Sequence, residues 1–367
     1  MTQRALLIGI NNPGSDREKS RDSLEELSML SETAGAKNVF KILKNIKKID
    51  PAYYLSKGML EDIKELAVSE NADIVIIDAS LSPAQESNLS EYLDLNVIDR
   101  TRLILDIFAV HARTAESRYQ VELAMFNYML PRLKGAGIML SRTGAGIGTR
   151  GPGETKLETD RRKIRQRIGY IKEKLKLSEK TRRLHRYKRS RQGLYTAAIV
   201  GYTNSGKTTL MKRLTGRGEA GEDKLFATLG TKMASIYDTA GRKKVIISDT
   251  VGFIQNLPLF LVESFKATLE ETVHSDLLIH VIDPVQSDAA GKYEEVVKIL
   301  DEIGAEDKKI ITVLNKIDLL SPEQVDFLST KFETLTGKLA VAVSAKTGEN
   351  INLLKDRIFE SLECQTI

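Results

Sequence analysis

Gly201-Tyr202-Thr203-Asn204-Ser205-Gly206-Lys207-Thr208 fits the pattern G-x-x-x-x-G-K-[ST], and the flanking sequence decides how it folds. Thr196–Val200 before it reads as a strand, and a helix is expected from about Lys207. In that setting the glycines let successive backbone N–H groups turn inward around a β-phosphate, and the helix N-terminus adds its positive end. Lys207 is expected to reach the β- and γ-phosphates and Thr208 to give its hydroxyl to magnesium. Thr209, next along the helix, completes the expected phosphate-binding set.

Three later segments narrow the ligand. Lys244–Ser248 is a buried-strand pattern ending in Asp249-Thr250-Val251-Gly252, where Asp249 would hold magnesium and the Gly252 N–H would sense the γ-phosphate. Strand Lys309–Leu314 ends in Asn315-Lys316-Ile317-Asp318. A carboxylate at Asp318 accepts from the ring N–H and exocyclic amine of guanine together, whereas adenine lacks that donor pair. Strand Leu339–Val343 ends in Ser344-Ala345-Lys346, whose amides suit the guanine carbonyl oxygen. Four motifs in this order, each at the C-terminal end of a predicted strand, match where an open α/β sheet binds ligands. The implied ligands are GTP or GDP with magnesium. Thr228, 20 residues after Thr208, is read as a switch threonine that reaches magnesium when the γ-phosphate is present, with an ordinary loop threonine as the alternative. The expected catalytic group is Lys207, Thr228 and Gly252.

Two positions bear on rate. Phe253 stands where signalling GTPases carry the glutamine that orients the attacking water, so intrinsic turnover is expected to be slow. Asn204 occupies a place where some GTPases recruit potassium and others use none, and the sequence leaves both readings open.

Outward from the loop, charge is the main signal. The 367 residues carry 55 Lys/Arg and 50 Asp/Glu, a net charge of only +5. Residues 150–191 hold 17 of the cations against five acids, which is +12 for that arm and −7 for the remainder. Like charges at this density repel, so a polyphosphate-facing surface is favoured over a plain solvated one. Arg150, Lys156, Arg161, Arg162, Lys163, Arg165 and Arg167 are the expected RNA contacts. One cysteine, Cys364, excludes an internal disulfide, and the four scattered histidines form no zinc-ligand spacing. No apolar stretch approaches the roughly 18 residues needed to span a bilayer, so no membrane insertion and a cytoplasmic location are expected.

The expected architecture is α/β in three parts. Residues 1–101 alternate strands (Ala5–Gly9, Asn38–Lys44, Ala72–Asp78) with helices at about 18–35, 58–70 and 83–94, which implies a mostly parallel sheet. This part has no glycine-rich phosphate loop and reads as a docking or scaffold domain. Residues 102–191 read as a basic antiparallel hairpin. A first helix spans Arg102–Lys134 and ends at Pro131 and Gly135, and a glycine-rich tip loop covers 135–155. A second helix runs through Glu154–Arg191 with Leu157, Ile164, Ile168, Ile171 and Leu175 inward and the cations outward. The tip loop is a poor nucleotide cradle, because no strand precedes it and Pro152 interrupts its amides. Residues 195–363 are the P-loop GTPase domain.

The chain as a whole resembles the HflX family of ribosome-associated GTPases, within the translation-factor-related group that includes Obg-like and Era-like proteins. The resemblance runs from about Tyr54 to the end. It rests on Leu81-Ser82-Pro83-Ala84-Gln85 with Asn88-Leu89, on Val97-Ile98-Asp99-Arg100-Thr101, and on Leu105-Asp106-Ile107-Phe108-Ala109. Ala112-Arg113-Thr114, Gln120-Val121-Glu122-Leu123-Ala124 and Leu130-Pro131-Arg132-Leu133 continue it. Its most specific string runs from Gly146-Ile147-Gly148-Thr149-Arg150-Gly151-Pro152-Gly153 through Glu154-Thr155-Lys156-Leu157-Glu158-Thr159-Asp160-Arg161-Arg162. Phe253 is also a family trait.

The resemblance implies GTP hydrolysis coupled to the large ribosomal subunit, with the hairpin contacting ribosomal RNA near the peptidyl transferase region. Some bacterial members separate ribosomal subunits under stress, and ATP hydrolysis is associated with the N-terminal part of some. The expected partner is therefore the large subunit, engaged by a monomer through its N-terminal and helical regions under control of the GTP state. The alternative is a nucleotide-sensing RNA-binding or assembly scaffold with negligible hydrolysis. Departures are Thr228-Leu229-Gly230-Thr231-Lys232, where the family usually has an aspartate–proline pair after the leucine, and a chain that ends soon after the last expected helix.

Overall fold

A computed structural model describes residues 3–142, 152–216, 226, 230, 232–238, 243–255, 260–261, 266–286 and 288–363. Arg150, Thr228 and the centre of the tip loop lie outside the described residues. So does the side chain of Lys156.

Short apolar runs separated by amphipathic stretches build two parallel-type sheets in two compact units. One comprises residues 1–110 with 118–176, the other 111–117 with 177–367. The division between the two units falls inside the second hairpin helix.

In the first unit, strands β1 (Arg4–Asn11), β2 (Lys37–Asn45), β3 (Ile74–Ile77) and β4 (Asn96–Asp99) form a sheet of order β2-β1-β3-β4, parallel throughout. Helices α1 (Arg17–Thr33), α2 (Lys57–Ser69) and α3 (Pro83–Leu93) connect them. Leu6, Ile8 and Ile10 share a core with Leu60 and Ile63 of α2 and Leu89 of α3. Leu7 is also fully buried, which places apolar packing on both faces of β1. Ser82 caps α3 as its sequence suggests. The Gln85 N–H donates to Ser82 Oγ (3.2 Å), and the Ser82 N–H donates to Gln85 Oε1 (3.0 Å).

The expected first hairpin helix is corrected on two points. It is two helices, α4 (Arg100–His111) and α5 (Ala115–Arg142), not one over 102–134. The break is a local cap: the Thr114 N–H donates to Ser117 Oγ (3.1 Å) and the Ser117 N–H to Thr114 Oγ1 (3.1 Å). Nor do Pro131 and Gly135 end α5, which continues to Arg142 with Pro131 inside it. Tertiary anchoring outweighs the lost backbone bond at Pro131. Arg132 pairs with Glu86 at 2.7 Å, and the Tyr128 hydroxyl donates to Asp99 at 3.0 Å. Burial raises the pKa of Asp99, and burial with the charge of Asp99 raises that of Tyr128.

Helix α6 (Pro152–Arg191) runs antiparallel to α5: Tyr119 meets Tyr170 edge-on at 6.4 Å, and Arg167 pairs with Glu122 at 2.7 Å. Ile171 is fully buried, and Ile164, Ile168 and Leu175 are partly buried.

The second unit holds a six-stranded sheet of order β10-β9-β8-β5-β7-β6. Its strands are β5 (Tyr195–Gly201), β6 (Lys232–Tyr237), β7 (Lys244–Asp249), β8 (Leu277–Ile282), β9 (Lys309–Leu314) and β10 (Ala340–Ala342). All pairings are parallel except β6 with β7. The described helices after these strands are α7 (Lys207–Thr215), α8 (Lys266–His274), α9 (Ala289–Glu302), α10 (Pro322–Thr336) and α11 (Ile351–Glu363). Strand order reverses at β5, which pairs with β7 on one side and β8 on the other. The C-terminal end of β5 therefore faces the crevice where such sheets bind ligands.

Candidate functional site

The segments Gly201–Thr208, Asp249–Gly252, Asn315–Asp318 and Ser344–Lys346 follow β5, β7, β9 and β10, all at one edge of the sheet. Side-chain bonds then tie these loops together.

Thr208 and Asp249 meet directly, the Thr208 hydroxyl donating to Asp249 Oδ2 at 2.8 Å. Asp249 is fully buried at the end of β7. A hydroxyl beside a buried carboxylate is a hard oxygen donor pair of the kind that suits magnesium. Lys207 is buried and donates from Nζ to the Tyr202 carbonyl at 2.6 Å. Desolvation lowers its pKa to about 8, against the charge of Asp249, which raises it. Gly252 lies against Lys207: a Cβ there would stand 2.8 Å from Lys207 Nζ and 2.9 Å from Thr203 Cγ2. Only glycine lets the two loops approach so closely. Asn204, at φ 59°, takes the left-handed conformation that asparagine tolerates well, a backbone reason for the residue that needs no ion. Thr209 sits partly buried in the first turn of α7.

Asn315 joins the phosphate loop to the opposite loop. Its Nδ2 donates to the Ser205 carbonyl (2.8 Å), and its Oδ1 accepts from the Ala345 N–H (2.9 Å). Gly206, at φ 91°, packs so closely on it that a Cβ would stand 2.2 Å from Asn315 Nδ2. Asp318 is exposed, with Oδ1 accepting from Ser344 Oγ at 2.6 Å. Lys316 takes a left-handed backbone and pairs with Asp283 at 2.8 Å.

Sequence reasoning missed three contributors. Arg213 of α7 donates from Nε to the Ala345 carbonyl (3.1 Å) and from Nη2 to the Lys346 carbonyl, fastening the Ser344–Lys346 loop. Asp283, after β8, orients Lys316. His280 is buried on β8 and stacks on Tyr293 at 4.9 Å, with desolvation lowering its pKa to about 3. None of these carries a sequence signal, because each partner is distant in the chain.

Phe253 turns away from the crevice. It is 2% exposed and packs with Ala198, Val200, Leu269 and Leu278. Its backbone binds the phosphate loop, the Thr203 N–H donating to the Phe253 carbonyl (2.7 Å) and the Phe253 N–H to the Gly201 carbonyl (3.2 Å).

The expected outward run of cations on α6 is only partly observed. Arg162, Lys163 and Arg165 are exposed and Arg161 is half-buried, while Arg167 is engaged by Glu122. Arg182, Arg186 and Arg189 are instead held by Glu116, Glu270 and Glu271. A cluster of acids on an adjacent helix, invisible to a single-helix reading, draws that face inward.

Among the described residues no group of three or more His, Cys, Asp or Glu is placed to hold a metal, and no helix is long and apolar enough to cross a membrane.

Three family models match in order: GTP-binding GTPase N-terminal over 21–109, GTP-binding GTPase middle region over 111–189, and 50S ribosome-binding GTPase over 196–316. GTPase HflX of Caldanaerobacter subterraneus is 49% identical over 87% of this chain and 73% of its own. GTPase HflX of Escherichia coli is 43% identical over 83% and 71%. Among solved structures, a GTP-binding protein from Sulfolobus solfataricus in complex with GDP aligns over the whole of both chains at 27% identity, with a TM-score of 0.52. With the three models in register and the GTPase motifs joined at one sheet edge, this chain belongs to the HflX family of GTPases.

Proposed function

We propose that this GTP hydrolase binds GTP at the C-terminal edge of the second sheet and uses its nucleotide state to control association with the large ribosomal subunit. The observation carrying the nucleotide half is the Thr208–Asp249 contact of 2.8 Å beside buried Lys207. Those residues fit a magnesium–polyphosphate group, with Thr208 and Asp249 as the metal-side pair and Thr228 as the further expected ligand. Magnesium, when bound, neutralises charge developing on the β- and γ-oxygens. Lys207 supplies a desolvated cation to the same oxygens, and the Gly252 N–H faces the γ-phosphate. The amides of Asn204, Ser205 and Gly206 would cradle the β-phosphate, while the Thr203 N–H, committed to the Phe253 carbonyl, holds the loop in place. Asp318, held by Ser344, reads the guanine edge, with Asn315 and Ala345 spacing the two loops. The GDP complex of the related Sulfolobus protein supports this ligand class.

The ribosomal half is supported by the 50S ribosome-binding description of the family model and by the exposed cations Arg162, Lys163 and Arg165 on α6. Phe253 orients no water, so a partner is expected to complete catalysis. The test is GTP turnover with and without purified large subunits across a salt series. Stimulation that fades steeply with salt is expected, because each phosphate contact releases about one counterion. Turnover unchanged by subunits at every salt concentration refutes the coupling and favours the scaffold reading.

A further inference from the structure

Three arginines of α6 are drawn into one partly buried ion-pair ladder. Arg182, Arg186 and Arg189 follow one another at spacings of four and three, which puts them on one helix face. Their side chains are only 17–18% exposed. Arg182 pairs with Glu116, at the start of α5, and with Glu270 of α8 at 3.1 Å. Arg186 lies 3.4 Å from both Glu270 and Glu271, and Arg189 is 3.0 Å from Glu271. Three cations thus face three anions in a ladder that is charge-balanced and partly buried. Neighbouring Lys180, Arg183, Lys188 and Arg191 stay exposed, so burial follows the partners and not the helix as a whole.

What the ladder holds gives it meaning. Helix α8 is the next described helix after Asp249–Gly252, the segment whose Gly252 rests on Lys207. Arg189 also reaches β6 through Met233, with Nη1 3.5 Å from the sulfur. The α4–α5 elbow that carries Glu116 also touches the segment that follows Thr228: a Cβ on Gly230 would stand 3.5 Å from the Thr114 side chain. Both chain segments leaving the γ-phosphate side of the crevice are therefore braced by α6 or by the elbow. Separating one member of such a pair strands a partly buried charge, so α8 and α6 move together or the ladder breaks.

We propose that Arg182, Arg186 and Arg189 are positioning residues for GTP hydrolysis. They fix α8, and with it the Asp249–Gly252 segment, to the helix whose other half carries the exposed cations Arg162, Lys163 and Arg165. RNA engagement and hydrolysis communicate through these ion pairs. That last step rests on the ribosome-coupled reading above.

The test uses the full chain as wild type, Arg189→Glu, Glu271→Arg and the double exchange of both. Readouts are affinity for GDP and for a non-hydrolysable GTP analogue, KM and kcat for GTP alone, and the fold-stimulation by saturating large subunits. Each single reversal should reduce stimulation by at least about fivefold, the lower end of ordinary coupling between sites. Nucleotide affinity should stay within about twofold, and the double exchange should recover stimulation above that of Glu271→Arg, because the 189–271 pair is re-formed with opposite polarity even though Arg186 then faces a like charge at position 271. Stimulation retained in the single variants overturns the proposal. So does failure of the double exchange to recover it while melting at the wild-type temperature. A wild type without stimulation defeats the ribosome-coupled reading instead, and the ladder is then judged on turnover of the chain alone. A changed kcat at unchanged KM that the double exchange restores supports it; a wild-type kcat in both single variants overturns it.

Discussion

Phe253→Gln places a glutamine at the position from which signalling GTPases orient the attacking water, and it is expected to impair this protein rather than activate it. Phe253 is 2% exposed and packs among Ala198, Val200, Leu269 and Leu278. A buried phenyl ring removes roughly 200 Å² from water, about 5 kcal/mol at 25 cal/mol per Å². A glutamine keeps the stem contacts but loses about half of that burial. It also leaves an amide in an apolar cluster, at about 1–3 kcal/mol. The net loss is about 3.5–5.5 kcal/mol, a large share of the roughly 5–15 kcal/mol that keeps a domain folded. For a GTPase domain of this size the melting midpoint should fall by about 10 °C. Thermal unfolding followed by circular dichroism, with Phe253→Leu as an apolar control expected to lose far less, gives the stability. Single-turnover GTP hydrolysis at 15 °C gives the rate. A Phe253→Gln protein that melts with the wild type and hydrolyses GTP faster would refute the core placement of this ring.

Three further outcomes are expected. Asp318→Asn removes a charged acceptor for two donors, so guanine-nucleotide affinity should drop by roughly 2–4 kcal/mol, tens- to several-hundred-fold, in a fluorescent-GDP titration; unchanged affinity would remove Asp318 from the base site. Lys207 has a folded pKa of about 8, depressed by burial from its unfolded value, so between pH 8 and about 10 the unfolded chain holds more protons. Stability of the ligand-free protein should then rise with pH across that window, by up to about 3 kcal/mol, and polyphosphate binding near pH 8 should take up protons. Calorimetric titrations in two buffers of different ionisation enthalpy measure that uptake, and equal heats would contradict it. Reversing Arg161, Arg162 and Arg165 together to glutamate should weaken co-sedimentation with large subunits at low salt and flatten its salt dependence while leaving GDP affinity intact. Loss of both would mark a folding defect.

The loops were legible because each is a local device. Gly201–Thr208 is a single loop between a strand and a helix, so its spacing is written consecutively, as is the Ser82–Gln85 capping box. Strands β5, β7 and β9 show as apolar runs with a turn residue after them. Strand β4 has no turn residue after it, because Asp99 runs directly into α4 at Arg100, so nothing in the sequence separates strand from helix. The break between α4 and α5 was hidden because Thr114 and Ser117 cap a helix inside an otherwise continuous apolar periodicity. Pro131 reads locally as a helix end, but its cost is outweighed by anchors at Glu86 and Asp99 that lie 32 or more positions away.

The four GTPase motifs, their order, and the +12 charge of one arm are legible in the chain alone. Those properties depend on residues adjacent in the chain, whose geometry the backbone enforces. The folded arrangement alone sets which of the arm's cations face water. Arg182, Arg186 and Arg189 look like their neighbours in sequence, but α8 presents Glu270 and Glu271 to them 81 or more positions later. It likewise decided that Phe253 belongs to the core, because the direction of a side chain is set by what packs around it. Charge and periodicity are local; burial and pairing are properties of the folded whole.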